Sequence, residues 1–423
     1  MRQKWRFTYA GWYEGIVDAM AALDDLLVLD LTHYIAGPYC TKLLADYGAR
    51  VVKIERPDGG DPCRRLGPFP HDTPHPEKSG VFLHLNTNKE SLTLNLKTLR
   101  GRQLFFCLVA KADIVVESFH PRVLPALGLD YGLLRRVNPR LVMTSISNFG
   151  QTGPYRDWRA QDLTLYAMGG EMYTNGATGR EPLKQAHGLT LYQGGAMAAT
   201  ATMIGIFGVR RHGIGQYIDT SLFETQAGSM DRRLTSLLSY QYTGENPGAE
   251  DPRPVGILPS GIFPCKDGYV DIRSTLRWWP RLVAMMEMPE LHDDPRFNTE
   301  KARLDPTHRE AFLHIFRTWL LRQSRQEIMA RARRTRMPGT AINTPAEVLH
   351  DAHFVTRGAF VSVTHPIAGT WQLPGAPFRP QRTPWQVRQP APLLGQHTAA
   401  ILRELLGFSD QHIAELRQTN VIG

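Results

Sequence analysis

Cysteine is scarce in this chain, and carboxylates are missing from one stretch where they would matter. The four cysteines, Cys40, Cys63, Cys107 and Cys265, are scattered, without CxxC spacing or histidine neighbours. This argues against both a zinc site and a disulfide framework, so no metal and a cytoplasmic location are expected. No Gly-x-Gly-x-x-Gly follows the first predicted strand, which removes the dinucleotide fingerprint. The longest apolar stretch, 194–209, is about one turn short of a bilayer span and reads as a buried helix, so no membrane association is expected. The opening MRQKWRFTYAGWYEGIVDA lacks the apolar core of a signal peptide, and residues 1–19 are expected to form a disordered extension. Finally, no Asp or Glu occurs between Lys184 and Gln216. Yet KQAHGLTLYQGGAMAATAT (184–202) is packed with Gly, Ala and Thr, a composition that lets a backbone approach a bulky ligand closely.

What is present points to an α/β protein. LLVLDLT (26–32) reads as a buried parallel strand, YCTKLLADYG as a helix closed by Gly48, and ARVVKIE (49–55) as the next strand. The alternation continues through SLTLNLK (91–97), a helix near 101–110, DIVVESF (113–119) and RLVMTSIS (140–147). Four strand–helix alternations predict a doubly wound, Rossmann-like large domain with right-handed crossovers. Ligands on such sheets bind off the carboxyl ends of the strands, which makes the loops after them the expected site.

The large domain is expected over 20–242, followed by a Pro/Gly-rich linker at 243–260. A smaller α+β domain at 261–350 begins with a hairpin in SGIFPCKDGYVDI. A connector and a C-terminal part of the large domain, 351–423, would include a Pro-rich extended segment and a final helix, HTAAILRELLG. The formal charge of +9 is compatible with nucleic acid or small acidic ligands. The basic residues lack aromatic interleaving, which argues against nucleic acid, and RARRTR (331–336) reads as the solvated end of a helix.

Seven segments occur in an order that resembles the class III CoA-transferases, the family of formyl-CoA, carnitine and bile-acid CoA-transferases and α-methylacyl-CoA racemases. They are VLDLTHYIAGPYCTKLLADYGARVVKIERPDGGDP, NTNKESLTLNLK, VVESFHP, NPRLVMTSISNFGQTGPY, QDLTLYAMGG, GQYIDTSL and APLLGQHT, spanning nearly the whole chain. The resemblance implies a dimer of interlocked rings, with the small domain closing over the site of the large one. It implies coenzyme A contacts at Ile35 and Ala36, Arg56, Leu94, Asn95, Leu96 and Lys97, Ser118, Phe119 and His120, and Arg159. Ala126 stands where relatives often carry Arg, and Arg122 lies one helical turn earlier.

In family members that transfer CoA, an aspartate attacks the donor thioester and forms an acyl anhydride. It lies four residues before a glycine that opens a small-residue helix. Counting back from Gly195 gives Leu191, and from Gly194 gives Thr190. Spacing to the GIGQ turn (213–216) supports Leu191. Asp162, in QDLTLYAMGG, matches an acidic position that the family retains in support of the site. The racemase chemistry lacks both its bases, because Gln161 and Leu191 stand where a His and an acid would be.

The expectation is therefore a class III CoA-transferase moving CoA between a thioester and a carboxylic acid. This chain would be the non-nucleophilic subunit beside a similar Asp-bearing partner. The alternatives are a self-sufficient homodimer using Asp162 or a ternary-complex route, and a non-catalytic acyl-CoA-binding protein. Aromatic residues at the expected mouth, among them Tyr34, Tyr39, Phe69 and Tyr192, hint at a large apolar or aromatic acyl group.

Overall fold

A computed structural model describes residues 21–176, 179–186, 188–227, 232–246, 258–376 and 378–423. The expected extension at 1–19 and most of the linker (247–257) lie outside the described residues. Two compact units are present. The first combines segments within Met1–Gly170, Gln185–Leu234 and Gly358–Gly423, and the second combines Glu171–Lys184 with Thr235–Arg357.

The first unit is organised by six strands: β1 Leu27–Leu31, β2 Arg50–Glu55, β3 Lys89–Thr93, β4 Ile114–Glu117, β5 Val142–Ser147 and β6 Gln216–Ser221. Their order is β3-β2-β1-β4-β5-β6, and every neighbouring pair is parallel. All six carboxyl ends therefore meet at one edge. Side chains alternate across the sheet. Leu29, Leu31, Val52, Ile54, Val115 and Met143 join one core with the helices Leu99–Val109, Thr398–Leu406 and Asp410–Gln418. Val28, Val51, Ile114, Val116 and Val142 join the other, under the first helix (Ala36–Asp46) and the long helix (Leu189–His212).

The second core is not apolar throughout. Asp30 of β1 lies opposite Lys53 of β2, and Lys53 opposite Ser91 of β3. Asp30, Lys53 and Lys89 are all fully buried, as is the Lys53–Asp61 ion pair, whose Nζ–Oδ2 distance is 2.9 Å. Lys89 Nζ donates to Asp30, Thr41, Asn86 and the carbonyl of Pro38. Four acceptors compensate an ammonium that would otherwise be costly to bury. Burial alone would raise the Asp30 pKa, but Lys89 and Lys53 hold it well below the usual carboxylate range. Burial draws the Lys89 ammonium down to about 8 despite Asp30.

Three expectations need correction. The third strand runs from Lys89 to Thr93, so Leu94–Lys97 is a turn beyond its end: the Leu94 N–H still bonds to Glu55, but the Asn95 N–H turns to Val421. The chain does not end on HTAAILRELLG, because Gly407 closes that helix in a left-handed conformation and Asp410–Gln418 follows. The apolar helix is longer than 194–209 and buried on one face only. Met197, Ile204 and Phe207 stand on its other face, 53%, 67% and 67% exposed.

In the second unit, β7 (Ser260–Cys265), β8 (Gly268–Arg273) and β9 (Gly339–Ala341) form an antiparallel sheet, and the first two make the hairpin expected from SGIFPCKDGYVDI. Its core gathers Phe263, Trp279, Phe312, Phe316 and Trp319. The basic run at 331–336 ends the helix Arg325–Thr335, with Arg331 and Arg334 paired to Glu287.

Candidate active site

The glycines of the long helix are used in packing. A Cβ on Gly195 would fall 2.4 Å from the Ala36 carbonyl oxygen, one on Gly194 2.2 Å from Leu222, and one on Gly205 2.9 Å from Ile218. The close approach read from 184–202 is thus spent on the first helix and on the β6 side, and it locks the second turn of the long helix against the start of the first helix, where the loop after β1 ends.

That loop, Thr32–Ile35, is held from several directions. Asp30 accepts from the Thr32 N–H, Lys53 donates to the Thr32 carbonyl, and the His33 N–H donates to Ser118 Oγ at 2.8 Å. The His33 ring stands edge-on to Phe119, 5.1 Å between centroids. Burial lowers the His33 pKa, which favours the neutral ring. Ile35 and Ala36 are both buried, and Ile35 Cδ1 lies 3.5 Å from the Cβ position of Gly188. The Gly188 N–H donates to Asp162 Oδ2 at 3.1 Å. A continuous path of contacts therefore runs from Phe119 through His33 and Ile35 to Gly188 and Asp162.

Leu191 sits in the first turn of the long helix, half-buried against the apolar cluster that includes Ala36 and Cys40. Thr190, the other candidate, is fully buried. The remaining Asp162 oxygen, Oδ1, is buried without a hydrogen-bond partner among the described residues. Tyr39 and Tyr192 meet edge to face beside this turn, 5.0 Å between centroids. Burial raises the pKa of both phenols, which keeps them protonated.

The other expected contacts occupy the same edge of the sheet. Arg56 is exposed at the end of β2, 3.6 Å from Asp58. Leu94 is buried in the core, so only its backbone is left to meet a ligand, whereas Lys97 is exposed. His120 Nε2 lies 3.2 Å from the Asp157 carbonyl, and Arg159 is exposed two residues on. Arg122, beside the Ala126 departure, is paired with Asp157 at 2.5 Å.

One group was not singled out from the sequence. Glu117, the last residue of β4, is buried and accepts the Phe119 N–H at 2.7 Å. It lines a cavity of about 50 Å³ with Ser145, Gln151 and Tyr217. Burial, reinforced by Asp219, pushes its carboxyl up to about 7. The only signal in the sequence was an acid in a strand otherwise written IVV.

This geometry can be set beside known proteins. Residues 23–398 match CoA-transferase family III. The chain belongs to that family. It is accordingly a class III CoA-transferase, an enzyme that uses CoA thioesters as substrates. It is 33% identical to a succinyl-CoA–D-citramalate CoA-transferase of Chloroflexus aurantiacus, over 95% of this chain and 98% of that one. It is also 32% identical to the beta subunit of a succinyl-CoA–L-malate CoA-transferase from the same organism, over 95% and 98%. The alpha subunit of such an enzyme is 33% identical, over 95% and 92%. A CAIB/BAIF family protein from Brucella suis superposes with a TM-score of 0.82 at 30% identity, covering 91% of this chain and 99% of that one. Among the described residues of this CoA-transferase, no group of three or more His, Cys, Asp or Glu could hold a metal ion, and no helix is long and apolar enough to cross a membrane.

Proposed function

We propose that this chain is the non-nucleophilic subunit of a heteromeric class III CoA-transferase that moves CoA between a CoA thioester and a short dicarboxylic acid. The observation that carries the reading is Leu191. A hydrocarbon stands one turn into the helix where the resemblance calls for the aspartate, and no other acid lies between Lys184 and Gln216. An alkyl side chain forms no anhydride, and loss of the acyl-enzyme nucleophile closes that route altogether. In the complete enzyme, a carboxylate of the partner attacks the thioester carbonyl. The C–S bond breaks, CoA leaves as thiolate and an acyl anhydride forms on that carboxylate; the thiolate then attacks the enzyme carbonyl of the anhydride and releases the donor acid, leaving an enzyme–CoA thioester. The acceptor carboxylate attacks this thioester, and the thiolate it expels takes the acceptor acyl group from the second anhydride, which frees the partner's carboxylate.

Two relatives are named as alpha and beta subunits, which supports a heteromeric arrangement. The acids in relatives' names (succinate, malate, citramalate and glutarate) are all short dicarboxylates, which favours that class over a large aromatic acyl group. Coenzyme A is read along the carboxyl edge. Arg56, Lys97 and Arg159 are the cations for its phosphates, Ile35 and Ala36 the wall at its thioester end, and Asn95, Leu96, Ser118, Phe119 and His120 the surface along its length. The exposed row Met197, Ile204 and Phe207 supports an interlocked dimer, because a soluble chain rarely leaves such a stripe uncovered. The test is CoA transfer from succinyl-CoA to malate or citramalate by the purified chain alone and with a similar chain bearing Asp at the position of Leu191. Transfer is expected only in the mixture.

A second reading rests on one specific feature. The buried Oδ1 of Asp162, without a hydrogen-bond partner among the described residues, belongs to an acid beside the same turn, and a self-sufficient homodimer would use it as the acyl carrier. Hydroxylamine trapping separates the two, since an anhydride at Asp162 would leave a hydroxamate there.

A further inference from the structure

The loop after β1 contains a residue in a conformation it would not choose alone. Tyr34 has φ +65°, in the left-handed region, although it is not glycine and its side chain is half exposed. Such a backbone persists only where its surroundings fix it. The next two residues, Ile35 and Ala36, are the ones set against Gly188 and Gly195 of the long helix.

What fixes the turn is a buried carboxylate from a different segment. Asp61 Oδ1 accepts the Tyr34 N–H at 3.1 Å and the Cys63 N–H at 2.8 Å. Asp61 Oδ2 pairs with Lys53, and the Asp61 N–H donates to Glu55 Oε2 at 3.0 Å. Lys53 in turn donates to the Thr32 carbonyl. One fully buried ion pair thus grips the loop on both sides of His33. Removal of Asp61 would free the Tyr34 N–H and leave a buried ammonium short of a partner.

We propose that Asp61 is a positioning residue for CoA binding: it acts through the left-handed turn at Tyr34 to set Ile35 and Ala36 against the long helix. This rests on the reading that the loop faces the coenzyme. Asp61 itself is fully buried and touches no ligand.

The turn makes the proposal testable apart from stability. Glycine adopts positive φ freely, whereas a β-branched residue resists it. The probe is CoA itself, titrated calorimetrically into the full chain, with melting temperature followed in parallel. Tyr34→Gly and Tyr34→Val both remove the ring expected at the mouth, so Tyr34→Gly is the reference against which the other affinities are compared. Tyr34→Val, which leaves the buried ion pair untouched, is expected to bind about tenfold more weakly, as is Asp61→Ala. Adding Tyr34→Gly to Asp61→Ala is expected to restore affinity to within about threefold while the melting temperature stays low. Equal affinity of Tyr34→Gly and Tyr34→Val, or no recovery in the double variant, would overturn the proposal. Hydrogen exchange over 33–39 separates this from failure of the underlying reading. If CoA binds without protecting that segment, the loop does not face the coenzyme and both fall. If it protects the segment but the double variant stays weak, only the role of Asp61 falls. Should Asp61→Ala not fold, the two Tyr34 variants decide alone.

Discussion

Gly188 gives its backbone N–H to Asp162 Oδ2 across 3.1 Å, and this bond joins the helix Asp162–Met168 to the turn that carries Leu191. An anion at the amino end of a long helix satisfies one of its free N–H groups and favours its dipole. Asp162→Ala is therefore expected to lose about 1 kcal/mol of stability, and Asp162→Asn, which keeps the acceptor, about half of that. Urea unfolding measures both.

Gly195 leaves no room for a methyl group against the Ala36 carbonyl. Backbone lies on both sides of the contact, so neither helix can yield by turning a side chain. Gly195→Ala is expected to cost about 2–3 kcal/mol and to lower the melting temperature by several degrees, despite alanine's better helix propensity. Calorimetry checks the sign. A stabilised variant would mean the helices are not so close.

Glu117 predicts a pH dependence with a definite direction. Its folded carboxyl is raised from 4.5 to about 7, so the folded state keeps a proton that the unfolded chain has already lost in that range. Stability contributed by the neutral acid is present below pH 4.5, falls as pH rises towards 7, and is gone above it. At about 1.4 kcal/mol per unit, the whole effect is of order 3 kcal/mol. Glu117→Gln keeps an acceptor for the Phe119 N–H but does not titrate. Relative to wild type it should gain stability between pH 5 and 7 and hold the gain at pH 8, as read from paired denaturation curves.

The uncovered side of the long helix predicts association. Phe207→Glu, at a position 67% exposed, is expected to leave the fold intact and to abolish the proposed association, as sedimentation velocity would show. A wild-type chain that sediments as a monomer both alone and mixed with a similar Asp-bearing chain would remove the interlocked arrangement.

The sheet was legible because its strands are short apolar runs separated by helical periods, and such runs imply a buried parallel sheet. The strand end at Thr93 was not, because LTLNLK keeps alternating after the backbone has turned away. The buried charges were hidden for a related reason. Asp30, Lys53 and Lys89 look like polar interruptions in separate strands, and only the register brings them together. The small residues of the long helix were visible, but their purpose was not: sequence shows that something must come close to Gly195, and the fold shows that it is Ala36. The expectation of a site at the carboxyl ends followed from the fold class. Asp61 and Glu117 did not, since each works through the backbone of another residue.

The decisive measurement is acyl trapping on the purified chain. Wild type and Leu191→Asp are incubated with succinyl-CoA, quenched with hydroxylamine and mapped by mass spectrometry. Wild type should carry no hydroxamate and release no CoA beyond background hydrolysis, while Leu191→Asp should acquire a hydroxamate at position 191. A hydroxamate on Asp162 of the wild-type chain, or sustained CoA transfer by that chain alone, would contradict its dependence on a partner's carboxylate.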